Sequence, residues 1–120
     1  MNITQYTHSH KFICWDDSRN PIGFLDYIIP SDDSEDRNVE IKWLEVEKKD
    51  RGKGIGSRLM EAFLAFAIRQ KYLWVSFWTG KEIEEAGKGY WYAKWFEMGP
   101  ILPDYYGPGI GTRLYTRRLS

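Results

Sequence analysis

The apolar pattern of residues 39–78 changes period twice, first across a run of glycines and again after the stripe that follows it. In VEIKWLEVE, 39–47, Val39, Ile41 and Trp43 alternate as in a strand, and then the phase slips to Leu44 and Val46. A one-residue slip would turn the core face to solvent unless an extra residue bulges out, so a β-bulge is predicted at Trp43–Leu44. From Ile55 the period is helical: Ile55, Leu59, Phe63, Phe66 and Ala67 form one stripe, widened by Met60, Leu64 and Ile68. Arg58, Glu61, Ala65 and Arg69 mark its outer side. YLWVSFW, 72–78, is then an almost continuous apolar run, suited to a strand buried on both faces in a parallel pair. Strand 39–47, helix 55–70 and strand 72–78 make a right-handed βαβ unit.

The flanking segments add antiparallel strands and a second helix. KFICW, 11–15, reads as a strand, DDSRNP as a turn, and IGFLDYII, 22–29, as the return strand. SDDSEDRN, 31–38, is a polar acidic loop, either a solvated connection or a rim that attracts a cationic acceptor. KGYWYAKWFEMG predicts a helix over 88–98, ended by Gly99 and Pro100. PDYYGPGIGTRLYTRRLS reads as turns followed by a strand over 112–119, and MNITQYTHSH as a frayed start whose His8 and His10 take no role. At 120 residues, 1–120 is one domain.

Seventeen basic and seventeen acidic residues cancel, so no global field attracts nucleic acid, and recognition by charge must be local. The single cysteine, Cys14, excludes an internal disulfide and the common zinc frameworks, and reads as a small buried hydrophobe. No stretch reaches the length of a membrane span and the start lacks a signal-peptide core, so the expected location is the cytoplasm. Six Trp, eight Tyr and six Phe let a short chain build a dense core, with some rings left to line a groove.

Two glycine clusters echo each other, GIGSRL at 54–59 and GIGTRL at 109–114. The first lies between a strand and a helix, where consecutive backbone N–H groups and the helix N-terminus can hold an anion. Gly52, Gly54 and Gly56 lack side chains that would keep a phosphate away, Ser57 stands at the helix start, and Arg51 and Lys53 add positive charge. The nucleotide-triphosphate loop and the dinucleotide fingerprint both fail at Ser57. What remains is RxxGxG: Arg51, Gly54, Gly56. The second cluster has no helix after it and reads as a turn into the last strand, with Tyr105 and Tyr106 as possible borders of an acceptor site.

With its bulged strand, helix and following strand, RxxGxG resembles the acetyl-CoA-binding core of the GNAT superfamily of N-acetyltransferases. The resemblance implies an α/β (α+β) fold: a mixed, mostly antiparallel twisted sheet with a central parallel βαβ unit and few helices. It implies acetyl-CoA as co-substrate, its pyrophosphate on the amides of Gly52, Lys53, Gly54, Ile55, Gly56 and Ser57 beside Arg51. Its pantetheine arm would pair with the backbone of Leu44, Glu45 and Val46, where an N–H can also hold the acetyl oxygen. In histone-type members the base is a glutamate eleven positions before the arginine, which is Glu40 here. The family's acid, a tyrosine four residues before the closing glycine, falls on Trp95, leaving Tyr92 as the nearest substitute and Tyr90 next.

A second departure concerns the helix pair that usually follows the family's first strand, for which DDSRN leaves no room. The acceptor groove is then open, or completed by a second subunit in a homodimer. An open groove suits a protein lysine or a polypeptide N-terminus better than a small amine. The expected function is acetyl transfer to a primary amine, with no membrane or nucleic-acid partner. Two alternatives stand beside it: a non-catalytic module that binds acetyl-CoA or a partner, and an inhibitor like the short phage members that acetylate a CRISPR nuclease.

Overall fold

Seven strands hydrogen-bond into one sheet in the order β1-β2-β3-β4-β5-β7-β6. In chain order they are β1 (Asn2–Tyr6), β2 (Lys11–Trp15), β3 (Pro21–Ile28), β4 (Asn38–Val46), β5 (Trp74–Gly80), β6 (Glu97–Gly107) and β7 (Ile110–Arg118). Among the described residues two α-helices interrupt them, α1 (Ile55–Arg69) and the single turn α2 (Gly89–Ala93). The computed structural model describes residues 1–29, 37–80, 89–108 and 110–119, without the side chains of 89, 90, 104–107 and 110. The acidic run 31–36 and the side chains of Tyr90, Tyr105 and Tyr106 therefore lie outside the described part. Among the described residues only β4 and β5 run parallel, joined through α1; the other pairings are antiparallel, as the mixed α+β expectation required.

The apolar stripe of α1 is buried through Ile55, Leu59, Met60, Phe63, Leu64, Phe66 and Ala67. It packs on β2, β3 and β4, with Phe63 edge-on to Phe12 at 6.1 Å. Ile68, which the periodicity placed on the stripe's flank, is 54% exposed. The register puts Tyr27, Ile41, Phe77 and Tyr115 in one row across β3, β4, β5 and β7 on this face. All four are buried. Ile28, Glu40, Ser76 and Thr116 form the adjacent row, on the face that no described helix covers. Cys14 is fully buried on the helix side, and burial pushes its thiol up, which fits an inert small hydrophobe.

Several expectations need correction. The start of the chain is a strand, not a frayed segment, because β1 pairs along its length with β2. The bulge lies one residue earlier than predicted: Asp26 pairs with Trp43 and Tyr27 with Ile41, so Lys42 is the extra residue. Trp43 is thereby turned off the Val39–Ile41 face and is 50% exposed, while Leu44 and Val46 rejoin the core side. The run 72–78 is not buried on both faces; Val75, Phe77 and Thr79 are buried, whereas Trp74 is 38% exposed on the face without a helix.

The predicted helix 88–98 is cut short. The amides of Trp95 and Phe96 both reach the carbonyl of Tyr92, at 2.9 Å each, and Glu97 then enters β6 opposite Thr116. Gly99 does not end a helix. A Cβ there would lie 2.6 Å from the carbonyl oxygen of Leu114, so glycine is what lets β6 approach β7. Gly99→Ala should lower stability by about 1–3 kcal/mol, the usual cost of overpacking. Urea unfolding checks this, and an unchanged midpoint would remove the close approach. From Ile110 on, the second glycine cluster is already part of β7, where Ile110 pairs with Gly107 and Thr112 with Leu102, rather than a turn ahead of it.

Candidate active site

The bulge at Lys42 and the parallel pairing of β4 with β5 together open the sheet. The β4–β5 ladder runs from Asn38↔Trp74 to Ile41↔Phe77 and stops there. Beyond it β4 continues to Val46 beside β3, while β5 continues to Gly80 beside β7. The amide of Glu47 donates to the carbonyl of Ile22 at 2.8 Å, on the β3 side. Backbone direction alternates along an antiparallel strand, so Leu44 and Val46 turn their N–H and C=O groups the other way, toward the gap. The Val46 carbonyl accepts from Arg51 Nε at 3.1 Å.

This gap is one wall of a cleft of about 520 Å³. Leu44, Glu45, Val46, Arg51, Gly52, Gly54, Ile55, Gly56 and Ser57 line it, as does Tyr92, so the two candidate segments and the substitute acid share one cavity. Trp43, Asp50, Phe77 and Trp91 line it too and were not among the candidates. Phe77 was available from the parallel register and Asp50 from its place beside Arg51, whereas nothing in the sequence singled out Trp91.

The floor of the cleft carries the features of an anion cradle. Gly52 and Gly54 have φ of +82° and +78°, left-handed values that favour glycine. A Cβ at either would meet no protein atom within 4 Å, so any side chain there would stand in open space. Gly54 is the N-cap of α1 and offers no side-chain bond, leaving the first-turn amides of Ile55, Gly56 and Ser57 without an intrahelical partner. At the helix's positive end such amides suit a phosphate.

Two candidates stand apart. Lys53 is not in the lining; its Nζ pairs with Asp50 Oδ1 at 2.9 Å and braces the turn. Glu40 is also outside the lining, two residues ahead of the bulge and on the face that no described helix covers. Partial burial pushes its carboxyl pKa up, as suits a proton acceptor. Tyr92 is 6% exposed, and burial, reinforced by Tyr115, raises its phenol to about 12. That lies roughly three pH units or more above an ordinary thiol, so Tyr92 can donate a hydrogen bond to a thiolate but transfers its proton only uphill. Trp95, at the position of the family acid, is half-buried, packs on Trp91 at 6.0 Å, and uses its carbonyl to accept from Arg117 Nη1 at 3.3 Å.

The chain is similar to known acetyltransferases in its family pattern and in its fold. The model of the acetyltransferase (GNAT) family matches residues 2–86. Among solved structures, a GNAT family acetyltransferase from Elizabethkingia anophelis with acetyl-CoA bound superposes with a TM-score of 0.77 at 20% identity, covering 95% of this chain and 79% of that one. Ard1 from Thermoplasma volcanium gives 0.74 at 25% identity, covering 92% and 71%. An aminoglycoside 6'-N-acetyltransferase complexed with coenzyme A gives 0.73 at 14% identity, covering 92% and 72%. No curated protein matches the sequence. Among the described residues no helix is long and apolar enough to cross a membrane.

Proposed function

We propose that this chain, which belongs to the acetyltransferase (GNAT) family, transfers the acetyl group of acetyl-CoA to a primary amine carried by a protein, a lysine side chain or an N-terminus. One observation carries the reading: the β4 edge freed beyond Ile41↔Phe77 and the uncapped N-terminus of α1 border a single cleft. A pyrophosphate joined to an amide-bearing arm matches that layout, because the first wants amides at a helix end and the second a strand edge. When bound, acetyl-CoA supplies a thioester whose acetyl carbon is open to attack.

The chain's own groups then have distinct tasks. The amides of residues 52–57 hold the pyrophosphate, and Arg51 adds positive charge at the rim. Leu44 and Val46 present backbone groups to the pantetheine amides, Val46 with one carbonyl lone pair already taken by Arg51. The Leu44 N–H is placed to stabilise negative charge on the acetyl oxygen. Glu40 removes the proton that would otherwise keep the amine from attacking, directly or through one water. Tyr92 steadies the departing sulfur by hydrogen bonding.

A protein acceptor is favoured by the short β2–β3 connection: Asp16–Asn20 joins the two strands as a tight turn, with no helix between them to wall the site. A cytoplasmic location fits the lone, buried cysteine. Trp95 supports a second reading, a module that binds acetyl-CoA without turnover, since indole cannot protonate sulfur. Incubation with isotope-labelled acetyl-CoA and a panel of lysine peptides and polyamines separates the two. Label is expected on peptide amines; binding without transfer to any amine would leave only the module.

A further inference from the structure

At the head of the cleft, where β4 and β5 part, the last paired residue of β5 is Phe77. It is 2% exposed and stacks on Tyr92, with ring centroids 4.4 Å apart and planes 29° from parallel. Tyr92 is backed in turn by Trp91, edge-on at 5.1 Å, and by Tyr115 at 6.1 Å, a residue with no exposed surface. The head of the cleft is therefore closed by rings that rest on the core. Rings packed this way yield little, because interiors are as dense as organic crystals and accommodate an extra methylene only by displacing neighbours.

We infer that the Phe77–Tyr92 stack sets the length of the acyl chain, admitting acetyl and rejecting acyl groups of four carbons or more. The inference rests on the reading of the cleft as an acyl-CoA site. Leu44, Phe77 and Tyr92 line the same cavity, and Phe77 pairs with Ile41 on the strand that carries Leu44, so an acyl carbonyl held on the outward N–H of Leu44 lies on the side of the cleft that the ring pair closes. A methyl group needs little space beside that pair. Each further methylene must displace a ring that is already buried and stacked on its neighbours. Hydrophobic pockets discriminate by roughly 10- to 200-fold per methylene, so two additional methylenes make the wall a strong selector. Phe77 acts here through shape alone and Tyr92 contributes its ring, whatever its hydroxyl does for the sulfur.

Isothermal titration of acetyl-CoA and butyryl-CoA, paired with kcat/KM for each on one lysine peptide, tests the inference. The unmodified chain should bind butyryl-CoA about tenfold or more weakly than acetyl-CoA and use it about 100-fold less well. Phe77→Ala should bring the two dissociation constants within about threefold. Phe77→Leu, a milder change in case the alanine variant does not fold, should narrow the gap in the same direction. Tyr92→Phe keeps the ring and should keep the ratio even if turnover falls. Equal binding of both thioesters by the unmodified chain overturns the inference. So does an unchanged ratio in a folded Phe77 variant, or a ratio that moves with the Tyr92 hydroxyl. Binding of neither thioester would overturn the acyl-CoA reading itself, an outcome distinct from acetyl-CoA binding with no length preference.

Discussion

Gly54→Glu is expected to weaken acetyl-CoA binding at least 100-fold, a loss of about 2.7 kcal/mol or more, while the fold persists. The reasoning is geometric and electrostatic. Gly54 caps α1 with φ +78°, and a Cβ built there touches no protein atom within 4 Å. The new side chain therefore displaces nothing in the protein and extends into the space that the first-turn amides border. A carboxylate in that place satisfies those amides itself and repels an incoming pyrophosphate. The backbone strain of a non-glycine residue in the left-handed region costs only about 1–2 kcal/mol. Gly54→Ala isolates that term and should retain most of the affinity. Gly56→Glu is a less clean test, because a Cβ there lies 3.4 Å from the Trp91 ring and packing would change together with charge. Calorimetry on the two Gly54 variants decides: equal affinities for acetyl-CoA would mean that the phosphates lie elsewhere.

Glu40→Gln should lower kcat/KM by about 100-fold or more at neutral pH and leave the dissociation constant for acetyl-CoA unchanged, since general bases contribute roughly 10²- to 10⁴-fold. The pH profile carries the sharper signature. Burial raises the Glu40 pKa, and only the ionised form accepts a proton, so the rate of the unmodified enzyme climbs as pH passes upward through that raised value. The glutamine variant should lose this limb and keep the one set by the amine's own ionisation near 10.4 for lysine. Its deficit is therefore fully developed above the raised Glu40 value, where the parent's carboxylate is ionised, and shrinks as pH falls through it. Folding should not suffer, because burial disfavours the charged form and glutamine removes that charge. A variant with the parent's pH–rate profile would take Glu40 out of the mechanism.

The parts of the fold carried by local pattern were readable, and those carried by tertiary contact were not. The stripe from Ile55 to Ala67 had one helical solution, and the glycines ahead of it mark where left-handed backbone lets the strand turn into the helix. β1 was missed because NITQY shows only Ile3 as an apolar residue; the strand is held by its pairing with β2, which no local pattern records. The aromatic-rich segment YWYAKWFEM suits a helix or a strand, and the outcome is decided by β7, beside which Gly99 alone fits. The slip in 39–47 required a bulge, yet Lys42 and Trp43–Leu44 restore the phase equally well. The structure chooses Lys42 and leaves Trp43 at the cleft mouth, its Nε1 donating to Glu45 Oε2 at 3.1 Å.

The same division applies to the site. Gly52, Gly54, Gly56 and Leu44–Val46 could be found because they lie within one strand–turn–helix segment. Phe77 and Trp91 come from distant segments, and the parting of β4 from β5 brings them to the cavity that Tyr92, named from the family's acid position, also lines. The acid position departs from the family at Trp95, which no packing argument repairs, and the raised phenol of Tyr92 points to hydrogen bonding rather than full proton donation.

A crystal structure of the chain with acetyl-CoA bound tests the central claim most directly. The account predicts the pyrophosphate on the backbone amides of residues 52–57 and the pantetheine arm along Leu44 to Val46. The thioester should lie between β4 and the Phe77–Tyr92 rings. Coenzyme density anywhere else on the molecule, or a pyrophosphate with no contact to those amides, would contradict it.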